Sequence, residues 1–226
     1  MNRRAAVFAA ILASALTPGG KLAAQRTWRW EVAISGVGMR LNSTSGPTTQ
    51  KLTGAVYGVQ GQLIYSGFVT LDWGYWQGQI DPAATGGQTA SRDVVEGYAM
   101  LGGRPFGWLS LRAGPHAWTY ISNAGTQRWF LWEARVRAQG EVLPDVQSYM
   151  ELSRVLSANV NVPQDFQSGM GGEGGLILRV RDAPLIPERF PVRIRLAYGI
   201  ERVRMGGGNR TEVIDRLTLS LGIGQR

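Results

Sequence analysis

The stretch "FPVRIRLAYGIERVR", Phe190 to Arg204, sets Arg193, Arg195 and Glu201 between apolar residues that occupy every second position. Guanidinium and carboxylate groups at that spacing can pair with one another or attract an anion. Period-two spacing puts them all on one side of a β-strand and the oily residues on the other. The same alternation elsewhere gathers Arg29, Glu31, Asp72, Glu96, Arg112, Glu133, Arg135, Arg137, Glu151, Glu173, Arg179, Arg181, Glu201 and Arg216 with Arg193 and Arg195, nine arginines against seven carboxylates. A lone charge in a narrow interior loses its hydration, so a nearly balanced set implies arginine–carboxylate pairs that brace the wall. His116 is the chain's one histidine, hence its one ordinary base for neutral pH.

Other chemistry is thinly represented. Cysteine is absent, which removes disulfides, thiolate metal sites and a thiol nucleophile. "GMGGEGG" (Gly169 to Gly175) and "MGGGN" (Met205 to Asn209) lack the lysine and helix of a phosphate-binding loop. "DPAATGG" carries one acid, too few for calcium. No metal site and no cofactor is expected. The net charge of +8 comes without a lysine-rich run or basic tail, so nucleic acid is not an expected partner.

The elements that must position these charges are strands. Arg3 and Arg4, the apolar run Ala5 to Leu16 and the small residues before Gln25 read as a secretory signal peptide over 1–24, too short to span a bilayer as a helix. The mature chain, 25–226, divides into ten alternating runs near 27–41, 51–65, 67–80, 91–103, 106–121, 127–141, 144–156, 169–182, 189–204 and 211–223. Polar connections such as "LNSTSGPTTQ", "DPAATGGQTAS" and "SNAGTQ" follow odd-numbered runs, and tight ones such as "SG", "GRPF" and "VLPD" follow even-numbered runs. That rhythm predicts an all-β, antiparallel, up-and-down transmembrane barrel of about ten strands, with both termini on the short-turn side.

Two aromatic belts fit a bilayer's two interfaces. Trp28, Trp30, Tyr65, Phe68, Phe106, Trp108 and Phe190 lie toward the short turns; Trp73, Tyr75, Trp76, Trp118, Tyr120, Trp129, Phe130 and Trp132 lie toward the long loops. The oily face is therefore expected to meet lipid and the charged face to fill the lumen. In this pattern the chain resembles the small outer-membrane β-barrel proteins of diderm bacteria, except that it ends "LSLGIGQR" rather than on an aromatic residue. The resemblance implies a bacterial outer-membrane location, contact with outer-membrane lipid and lipopolysaccharide, and delivery by the barrel-insertion machinery.

A structural role, or a narrow channel with slight anion preference, is the expected function. Two alternatives belong to other classes. "YISNAG", Tyr120 to Gly125, is similar to the His-x-Ser-Asn stretch of the outer-membrane lipid A deacylases. That resemblance implies Ser122 as nucleophile and Glu133 as the orienting acid of an outer-leaflet lipid A hydrolase, with Tyr120 at the base position and His116 four residues earlier. Tyrosine is a poor base at neutral pH, and the bland account of Ser-Asn-Ala-Gly is a turn. Ten strands also resemble the omptin proteases, but His116 has no Asp-x-His neighbour. The remaining alternative is a soluble periplasmic barrel with its oily face inward around an apolar ligand.

Overall fold

A computed structural model describes residues 28–83, 90–123, 125–180, 191–206 and 209–224. The leader assigned to 1–24, together with Arg181 and Phe190, lies outside the described residues. Ten strands follow in order: β1 (Trp28–Ser45), β2 (Thr48–Tyr65), β3 (Val69–Pro82), β4 (Arg92–Phe106), β5 (Leu109–Ser122), β6 (Gly125–Leu143), β7 (Val146–Val160), β8 (Phe166–Val180), β9 (Val192–Met205) and β10 (Arg210–Gly224). Each pairs antiparallel with its sequence neighbours, and β1 closes on β10 through registers such as Ile34 with Leu221 and Arg40 with Asp215. Closure leaves no unpaired edge.

The observed strands are the ten alternating runs, with ends shifted by no more than about four residues. Ser66 and Gly67, both at positive φ, turn β2 into β3 while Phe68 donates its N–H to the Tyr65 carbonyl at 3.1 Å. That is the primed turn whose twist matches a hairpin.

Several polar connections expected as long loops are strand instead. β1 and β2 are joined by Gly46 and Pro47 alone, and "LNSTSGPTTQ" continues their ladder through Thr44 opposite Thr49 and Ser45 opposite Thr48. β-Branched threonines suit a pleated wall, and the hydroxyls of Thr44 and Thr49 meet at 3.3 Å. β5 and β6 likewise run on to Ser122 and Gly125. The strands thus reach past the band that faces lipid.

The amphipathic pattern inverts along the strands. In the half nearer the termini the outer wall is apolar, with Ile34, Leu71, Leu111, Leu196, Leu219 and Leu221 exposed. On β1 this stretch runs from Trp28 to Gly38. At ~3.4 Å per residue and a tilt of about 40° that spans ~26 Å along the barrel axis, the height of a lipid-facing band. Beyond it the outer wall turns polar, with Arg40, Gln79, Asp93, Arg128 and Arg202 exposed. There the inward positions become apolar: Val37, Met39, Leu41, Leu52, Val94 and Val203 are buried. Water is the natural surround of this upper wall, so its interior is packed as in a soluble barrel.

This inversion corrects two expectations. The charged face is not charged along its whole length. Trp76, Trp118, Tyr120 and Trp129 do not belong to the outer aromatic belt but lie buried inside the barrel, where Trp118 and Trp129 pack with ring centroids 5.6 Å apart. Inward-facing glycines make room for them. A Cβ on Gly58 or Gly74 would lie 2.5 Å or 2.3 Å from the Trp76 ring. Tyr75, Phe130 and Trp132 remain on the outside at that level, while Trp28, Phe106 and Trp108 are exposed at the other.

Candidate functional site

From the end with the termini, the lumen opens as a bowl of about 670 Å³, with Arg29, Arg104, Arg179 and Arg193 among its lining residues. Deeper in, charged side chains from seven strands meet. Arg112 of β5 contacts both Asp72 of β3 and Glu151 of β7. Glu151 also accepts from Arg137 at 2.8 Å and lies 3.6 Å from Arg135, both on β6. Arg195 of β9 contacts Glu173 of β8. Arg193 does the same with Glu31 of β1.

Two tyrosines stitch this layer together. The Tyr149 hydroxyl donates to Glu173 at 2.7 Å, accepts from Arg195 Nε at 2.7 Å, and its ring lies 4.3 Å beneath the Arg137 guanidinium. Tyr98 lies 4.7 Å from the Arg135 guanidinium. Charge-assisted and cation–π contacts of this kind gain strength where water is excluded. Neither tyrosine was among the expected network residues, although each shares strand parity with one, Tyr98 with Glu96 and Tyr149 with Glu151.

His116 sits at the centre of a second cluster. Its Nδ1 meets Glu133 at 2.9 Å and its Nε2 meets Glu96 at 2.9 Å. Arg216 of β10 donates to Glu96 at 2.6 Å and lies 3.5 Å from Glu201; Arg135 donates to Glu133 at 2.9 Å. The imidazole thus bridges the carboxylates of β4 and β6, which makes His116 a brace between them. Ligand-type atoms of His116, Glu133 and Glu201 lie within 4.8 Å of one another, a grouping the sequence reading did not anticipate. Both ring nitrogens are already engaged and two guanidinium groups adjoin, so the cluster suits ion pairing better than a cation.

The Ser122, His116 and Glu133 of the hydrolase reading do not assemble. His116 and Glu133 meet, but Ser122 lies six residues further along β5, ~20 Å away, and its hydroxyl donates to the Gly125 carbonyl at 3.2 Å across the turn. Tyr120, at the base position, is buried within the apolar cluster. Among the described residues no hydroxyl hydrogen-bonds to His116.

Above the charged layers the lumen is filled by Leu41, Leu52, Ile80, Trp118, Trp129 and Leu131, all buried almost completely. Beyond this plug lies a second cavity of about 290 Å³ at the end opposite the termini.

No protein-family model matches the sequence, and no curated protein matches it. Solved structures do. The outer membrane protease OmpT from Escherichia coli is similar at a TM-score of 0.57 and 9% identity, over 92% of this chain and 99% of that one. The translocator domain of the autotransporter NalP from Neisseria meningitidis has a TM-score of 0.41 and 11% identity, over 99% of this chain and 97% of that one. At such identity the OmpT likeness is one of fold, a closed antiparallel membrane barrel.

Proposed function

We propose that this chain is a closed outer-membrane barrel, a membrane-anchored scaffold that carries a rigid, water-exposed upper wall above the lipid. The observation that supports it is the filled lumen. Ion-paired layers are capped by an apolar plug in which Trp118, Trp129 and Leu131 are at most 2% exposed. Apolar side chains buried together at this level leave an ion no hydrated path. The apolar outer band supports a bilayer as its surround, and the leader-like residues 1–24 support export. Outer-membrane lipid, lipopolysaccharide and the insertion machinery are the partners that this reading entails.

Conductance in planar bilayers tests it. The purified protein is expected to give no steps above the lipid background; discrete openings carried by the wild-type chain would refute the closed lumen and restore the narrow-channel reading. A lipid A hydrolase finds no support in a Ser122 remote from His116. A soluble barrel around an apolar ligand is opposed by the exposed leucines of the lower wall.

A further inference from the structure

Among the described residues two arginines are buried to nine-tenths or more, Arg112 and Arg92, and they are treated oppositely. Arg112 is held by two carboxylates. Arg92, at the start of β4, has no carboxylate partner among the described residues. Its Nη2 donates to Gln50 Oε1 at 2.7 Å, its guanidinium lies 5.8 Å from the Tyr120 ring, and its Nη1 is buried with no partner. A buried cation without an anion is one of the costlier arrangements a protein can keep.

Arg92 lines the cavity of about 290 Å³ at the end opposite the termini. The other charged side chain in that lining, Arg210, is compensated by Glu212 at 2.5 Å. Ser43, Ser45, Thr48, Gln50, Tyr120, Ser122 and Gln127 complete the lining with hydroxyls and amides. Hydroxyls and amides both donate and accept, which suits a ligand with several hydroxyls of its own, while the unpartnered Nη1 of Arg92 suits an anionic group. The volume is near the lower end of small-ligand pockets, room for one sugar-sized unit.

We propose that this cup binds a single acidic sugar unit whose carboxylate pairs with Arg92 and whose hydroxyls meet the serine, threonine and glutamine groups around it. Its position beyond the lipid-facing band opens it to the medium on the far side of the membrane from the termini. The site does not depend on whether the lumen conducts.

Titration calorimetry of the full barrel in detergent, with D-glucuronate as probe and D-glucose and inorganic phosphate as comparators, tests the assignment. Glucuronate is expected to bind at least about tenfold more tightly than glucose or phosphate, and Arg92→Gln to lose about tenfold or more of that affinity. Ser122→Ala combined with Gln127→Ala is expected to weaken glucuronate without making phosphate bind better. Absence of glucuronate binding, equal binding of glucose, equal binding of phosphate, or an unchanged affinity in Arg92→Gln would each overturn the proposal. Folding of the variant is checked separately. Without ligand, Arg92→Met is expected to unfold at a denaturant concentration equal to or above that of the wild type, because it removes an uncompensated buried charge; a large drop would mark Arg92 as a structural brace instead.

Discussion

Arg112→Ala is expected to destabilise the barrel by about 3–5 kcal/mol, the usual cost of removing one partner from a buried ion pair. Arg112, Asp72 and Glu151 are all less than a tenth exposed, and the one guanidinium touches both carboxylates. Without it Asp72 keeps Gln62 at 2.7 Å as its remaining side-chain donor, whereas Glu151 keeps Arg137 and Arg135. The loss should therefore fall mainly on Asp72. Arg112→Met combined with Asp72→Asn is expected to recover part of the loss, since the second change removes the stranded charge. Denaturant titration of refolding into lipid vesicles, followed by tryptophan fluorescence, measures both. A loss below about 1 kcal/mol for Arg112→Ala would mean that water enters this layer freely and the ion pairs do not brace it.

Leu219→Arg is the second large effect, about 2–4 kcal/mol in lipid, because Leu219 is exposed on the outer wall within the apolar band. Gln79→Arg, also exposed and outward but on the polar part of the same wall, is expected to cost ~0–1 kcal/mol. The contrast separates two outer positions, one on β10 and one on β3, at different heights. Similar costs at both would contradict the placement of the lipid boundary between Tyr75 and Gln79 on β3.

The period-two rule carried most of the fold. Ten strands, their antiparallel order and the outward set from Ile34 to Leu221 were legible because side-chain alternation is a local property of extended backbone. Strand ends were less so. Runs of threonine and serine look like loop by composition, yet they pair as a ladder once the neighbouring strand lies in register. The inversion was legible in principle, since Val37, Met39 and Leu41 share the parity of Glu31, and Arg202 and Arg204 share that of Ile200. Reading residue type at strand ends without parity assigned Trp118 and Trp129 to lipid, although Trp118 lies an even number of residues from Arg112 and His116.

Away from the register shifts, the amino-acid order alone thus determined which side of its strand a residue takes, and so which residues could enter the lumen. It did not determine whom they meet there. Arg112 reaches Asp72 two strands away in one direction and Glu151 two strands away in the other, and Arg92 is left with no acid partner among the described residues. Those outcomes depend on the curvature and stagger with which ten strands close, quantities spread over the whole ring and written in no single segment. The bulge at Leu156, which reverses the parity of β7 beyond it, is likewise not written in its own segment.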